Sequence, residues 1–175
     1  MFENMYRWFG YDGRFLKIFD SFTSYDEDGN VVELLSASFA GPLITVFAIS
    51  VVVAFVFYIW PLDHPRFKAW WAWLIMLGCN LIIDFLLVLG ISRARVSYID
   101  DLPIDNNEEA WARVLNVTED SLPESAGSNL ADSLSVGEYL DFAFINVLWA
   151  LLFFVLASSV LMWLSNNCRL SPFKK

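Results

Sequence analysis

Apolar residues in this 175-residue chain are gathered into three long runs with polar stretches between them. The second run, 69–91, reads AWWAWLIMLGCNLIIDFLLVLGI; it contains no Pro and a single formal charge, Asp84. At a rise of ~1.5 Å per residue it makes about 35 Å of helix, enough to cross a hydrocarbon core of roughly 30 Å. The first run, 40–60, opens on Gly41-Pro42 and stops at Pro61. Proline in a first helical turn gives up only an N–H that has no partner there anyway. Its many β-branched residues do not argue for a strand, because an open strand in lipid leaves its backbone polar groups unpaired. The third run, 139–164, follows Ser135-Val136-Gly137-Glu138, a capping-box pattern that predicts a helix start. The pattern predicts an all-α integral membrane protein with three transmembrane helices over 40–60, 69–91 and 139–164, a membrane domain spanning 39–165.

The polar stretches carry weaker periodicities. In 1–38, Phe2, Met5, Tyr6, Trp8 and Phe9 recur at helical spacing, and Phe15, Ile18, Phe19 and Phe22 do so again after Tyr11-Asp12-Gly13. Such an amphipathic aromatic segment either lies in the headgroup plane or packs on the protein's own polar portion. Residues 22–34 set two β-prone pieces around DEDGN and read as a short β-hairpin. That acidic turn does not fit a calcium loop: counting from Asp26, the sixth and twelfth positions hold Val31 and Ala37, where Gly and Glu are required. The connection 61–68 is short and bracketed by prolines, so the first two spans are antiparallel neighbours. It holds the only histidine, His64, which reads as a solvated loop residue. Residues 92–138 form an acidic loop, closed onto the second span by Ser92-Arg93-Ala94-Arg95. Within it, 107–116 is predicted to form one short helix with Trp111, Val114 and Leu115 on one side. The stretch 118–135 reads as loop, too poor in apolar residues to build a core. Asn116-Val117-Thr118 fits the glycosylation pattern, which is a weak signal. Residues 166–175 are a basic tail.

Composition agrees with a bilayer location: 57% hydrophobic and 17% aromatic residues, with a mean hydropathy of +0.50. A net charge of −9 argues against nucleic acid as a partner. Two cysteines, Cys79 and Cys168, make no disulfide framework; Cys79 reads as mid-membrane packing. The N-terminus lacks a charged stretch leading into an apolar one, so it does not read as a cleavable signal peptide. Nucleophile elbows, phosphate-cradling glycine loops and metal-ligand clusters are all missing from the sequence, so no catalytic residues, metal or cofactor are expected and the chain reads as non-enzymatic.

With three spans, the N-terminal region shares one membrane side with the acidic loop, and the short loop shares the other with the tail. Trp60, Trp70, Trp71, Trp73 and Trp163 all fall near the second side and read as interfacial anchors. Arg66, Lys68, Arg169, Lys174 and Lys175 lie on that side too. It is therefore the expected cytoplasmic face of a cell (inner) membrane, with the N-terminus outside.

Counting inward from the opposite side, Ser50, Asp84 and Asn146 each fall about 10–12 Å deep, one per span. Asn80 lies one turn deeper than Asp84 on the same helix face. Ala143, Ala150 and Ala157, spaced by seven, leave room for close helix approach. Two functions follow from this polar layer. In one, it joins helices in a small subunit or scaffold of a membrane complex, with the bilayer, further copies or other membrane subunits as partners. In the other, copies self-assemble into a channel or pore-forming effector whose ion or proton path is lined by Asp84 and Asn80.

Overall fold

The computed structural model describes residues 2–21, 24–25, 31–32, 40–58, 70–100, 108–115 and 130–164. Among the described residues nine elements follow in order: α1 (Phe2–Trp8), α2 (Arg14–Ser21), β1 (Ser24–Tyr25), β2 (Val31–Val32), α3 (Ala40–Tyr58), α4 (Trp70–Asp100), α5 (Glu108–Leu115), α6 (Leu130–Ser133) and α7 (Val136–Leu164). Helices α3, α4 and α7 are each long and apolar enough to cross a membrane. The other described elements are four short helices and one two-residue antiparallel ladder, pairing Ser24 with Val32 and Tyr25 with Val31. The DEDGN turn, His64, Trp60, Cys168 and the Asn116 motif lie outside the described residues.

Helix α4 runs past the expected span end at 91 to Asp100. Nothing stops it: Ser92-Arg93-Ala94-Arg95 contains neither Gly nor Pro, and Ser92 returns its hydroxyl to the Val88 carbonyl (2.8 Å). Beyond 91 its pattern changes to that of a helix with one buried face, carried by Ser92, Arg95, Val96 and Ile99. The described chain divides into two compact units, and α3, α4 and α7 contribute residues to both.

The first unit comprises Met1–Pro42 and Val88–Ile145. Helix α1 ends in a Schellman cap: Tyr11 N–H donates to the Tyr6 carbonyl (3.3 Å) and Gly10 N–H to the Arg7 carbonyl (2.9 Å). Gly10 takes the left-handed conformation this cap requires, with φ +75°. The apolar contact that accompanies such caps is present as well, with the Tyr6 and Tyr11 rings 6.5 Å apart. The core is aromatic and centred on Phe142 of α7. Its ring centroid lies 5.0 Å from Phe15, 5.4 Å from Phe19, 5.5 Å from Tyr6 and 5.9 Å from Tyr11. Phe15, Ile18 and Phe19 of α2 are thus buried inside the protein, whereas Trp8 on α1 is 82% exposed. Burial, reinforced by the nearby Asp141 and Glu138 carboxylates, pushes the Tyr11 phenol above its ordinary value.

Helix α5 packs on α2 with Trp111 and Val114 buried, as the 107–116 pattern predicts. The supposed loop 118–135 contains a further element, α6, whose Leu130 is fully buried. A four-residue helix cannot sustain itself, and its ends are held by other parts of the chain. Asp100 accepts from the first N–H groups, Leu130 (3.1 Å) and Ala131 (3.3 Å). Arg14 donates to the last carbonyl, Ser133 O (2.8 Å), and to Ser133 Oγ (3.0 Å). The same guanidinium donates to Val114 O at the end of α5 (3.3 Å) and lies 3.7 Å from Glu138. Glu138 completes the capping box, accepting from Ser135 N–H (2.8 Å) while Ser135 Oγ accepts from Glu138 N–H (3.3 Å).

The second unit comprises Leu43–Leu87 and Asn146–Lys175. Its apolar core brings together Ala54, Phe57 and Tyr58 of α3, Ala72 and Trp73 of α4, and Phe154 and Met162 of α7. Large apolar side chains also cover its outside: Ile44, Phe47 and Val52 on α3, Ile82 and Leu86 on α4, Leu152 and Leu156 on α7. A helix apolar all round is what lipid selects, since the bilayer is as apolar as leucine.

A buried polar layer as the candidate functional site

Inside this second unit the helices turn small and polar residues toward one another. On α3, Leu43, Val46, Ser50, Ala54 and Phe57 recur at steps of three and four and are buried. That spacing keeps one face toward the neighbouring helices. Asn80 and Asp84 share one face of α4, one turn apart, and Asn146, Ala150 and Phe154 follow one another down α7. Ser50, Asn80, Asp84, Asn146 and Ala150 are all fully buried.

A short hydrogen-bond chain links the three spans. The Asn80 amide donates one N–H to Asp84 Oδ2 (2.9 Å) and the other to Ser50 Oγ (3.2 Å). Ser50 in turn donates its hydroxyl to the Ala150 backbone carbonyl (3.3 Å). The alanine matters here: with no side chain beyond Cβ it lets α3 reach the α7 backbone. Asn80, placed one turn below the layer by depth counting, is therefore the bridge between Ser50 and Asp84. Asn146 is buried one turn before Ala150 and is itself engaged. Ala143 is fully buried as well, in the first unit, and Ala157 is half-buried against the apolar core of the second.

A second polar contact went unforeseen. Trp73 donates its indole N–H to Ser158 Oγ (3.4 Å), and its ring lies 5.6 Å from Phe154. Trp73 is only 9% exposed, so it is a core residue and not an interfacial anchor. The helical turn explains this: Trp71 and Trp73 point about 200° apart at ~100° per residue. Trp70 and Trp71 remain on the outside, 63% and 47% exposed. Trp60 lies outside the described residues, and of Trp163 only the helical backbone is described. Cys79, expected in packing, is exposed on the outer face. Ser158 in an apolar run was the available signal for the Trp73 contact. For Arg14 and Asp100 no local signal existed, because each meets partners at least thirty positions away.

Among the described residues no three His, Cys, Asp or Glu side chains converge as a metal site. The layer is a neutral-donor network around one carboxyl group, suited to holding helices together or to holding a small cationic guest. The three apolar helices place the chain in the class of multi-pass helical membrane proteins. No family model, characterised protein or solved structure matches it.

Proposed function

We propose that this chain is a non-enzymatic subunit or scaffold of a membrane complex, and that its polar layer secures its own three spans. One observation carries this reading: Ser50, Asn80, Asp84 and Asn146 are all turned inward within a single chain. A ring of copies conducting ions along Asp84 and Asn80 needs those groups on a surface that the copies share. The outer faces are apolar instead, and α4 has the smallest buried share of the three spans. Those faces suit the bilayer together with further copies or other membrane subunits. In this reading the N-terminus lies outside and the tail inside, following the Lys/Arg asymmetry of the short segments.

The test is the mass and composition of the detergent-solubilised particle. Co-purifying chains in fixed proportion, or a small closed set of copies that conducts nothing, support the scaffold. A homo-oligomeric ring that passes protons or cations in liposomes, and stops when Asp84→Asn is introduced, overturns it in favour of the channel.

A further inference from the structure

The network linking the three spans is short of donors. Asn80 has two N–H groups and Ser50 one O–H, and all three are spent: on Asp84 Oδ2, on Ser50 Oγ and on the Ala150 carbonyl. Two acceptors remain buried with no partner among the described residues, Asp84 Oδ1 and Asn80 Oδ1. A buried acceptor left unsatisfied is costly, and more so when it belongs to a charged group. Turning the amide over does not cure the shortage. It sets Asn80 Oδ1 against Asp84 Oδ2, and two oxygens at that separation are bridged only by a hydrogen that one of them carries.

The surroundings supply no positive charge. Among the described residues of this unit, Asp84 is the sole carboxylate, and no Lys, Arg, His or Glu occurs. The other ionisable side chains are Tyr58 on α3, packed in the apolar core, and Cys79, exposed on α4; the described part of α7 in this unit has none. An ionised carboxylate here is a buried charge without a counter-charge, the case in which a group neutralises instead.

We propose that Ser50, Asn80 and Asp84 form an intramembrane proton-binding site, with Asp84 carrying one proton as the neutral acid. The proton gives the site one further donor and removes the unpaired charge in one step. It also needs no cavity, unlike a dehydrated metal cation, which asks for a shell of oxygens at close range. Asn80 is the positioning residue: its amide pairs with an acid or a carboxylate by turning over, so the site accommodates both states. The proposal rests on the reading that the layer joins this chain's own spans, and it adds what the layer binds.

The experiment is infrared difference spectroscopy of the whole chain in liposomes, with aspartate carboxyls carbon-13 labelled. A labelled carboxylic-acid C=O band that disappears when residue 84 alone is changed reports a neutral Asp84. The expected result is one such band, shifted by deuterium exchange, absent in Asp84→Asn and persisting with or without sodium. Asp84→Glu keeps a carboxyl but removes it from the aspartate-labelled set, so it also deletes the labelled band and serves if Asp84→Asn does not fold. A labelled carboxylate band from Asp84 in place of the acid band overturns the proposal. So does an acid band that appears only when sodium is withdrawn, which makes the guest a metal cation. Either result leaves the scaffold reading intact; that reading fails separately, on particle mass and liposome flux.

Discussion

The two units of this chain turn opposite kinds of side chain inward. In the first, aromatic rings gather around Phe142 while Arg7, Asp12, Lys17, Arg93 and Asp132 face outward and Arg95 is buried. In the second, Ser50, Asn80 and Asp84 are inside while Ile, Leu, Phe and Val cover the exterior. Water rewards burying rings and leaves charges out. Lipid offers no such reward for apolar burial, so helices there associate through small residues and shared hydrogen bonds. The first unit should therefore respond strongly to loss of an aromatic or a cap, and the second weakly to loss of any one polar group.

The sharpest attack on this contrast is Phe142→Ala. Removing the hub of the aromatic cluster should cost about 3–5 kcal/mol. Hydrogen exchange in α1 and α2 should rise by orders of magnitude while 43–58 and 146–164 stay protected. Loss of protection in both units together would mean that they fold as one. Arg14→Met comes next. It keeps the apolar stem but abandons the last carbonyls of α5 and α6, and charge-assisted bonds of this kind are worth about 2 kcal/mol in sum once partial exposure is allowed for. The expected signature is selective proteolysis around α5 and α6, with the three spans unaffected.

In the second unit, Asn80→Ala removes the bridge between Ser50 and Asp84. The expected loss is roughly 0.5–2 kcal/mol, read as a modest fall in the thermal midpoint of the detergent-solubilised protein. A loss as large as that of Phe142→Ala would erase the distinction between the units. The smallest effect is a pH dependence. The Tyr11 phenol titrates above its usual 10.0 in the folded protein. Its contribution is therefore fully present below pH 10 and is lost as pH climbs through the raised folded value, because the unfolded chain ionises first. Tyr11→Phe should leave stability unchanged at neutral pH and flatten the alkaline decline of the first unit. An identical alkaline profile in the variant would assign that decline to other groups.

Much of this molecule is legible from its sequence. The three spans follow from run length, because a lone segment of about twenty residues satisfies its own backbone amides in hydrocarbon only as a helix. The helix starts at Gly41-Pro42 and at the Ser135–Glu138 capping box, and the buried face of α5, are local patterns that reappear in the structure. Ser50, Asn80, Asp84 and Asn146, singled out as polar residues within the three runs, are all buried.

What the tertiary structure decided is direction and partnership. Depth counting gives height but not azimuth, so it placed Asn80 below the layer and Trp73 at the interface. Helical rotation made the first a bridge and the second a core residue. The aromatic face of α2 was compatible with lipid or protein, and the position of Phe142 chose protein for Phe15 and Phe19, while on α1 it took in Tyr6 and left Trp8 exposed. Helix α6 was invisible because four residues carry no helical signal of their own. Its ends are capped by Asp100 and Arg14, residues brought there by the fold. Chain-local physics sets which segments become helices and how deep each residue lies. Which side chains meet is a property of the packed whole, because a hydrogen bond depends on two positions that the sequence does not place side by side.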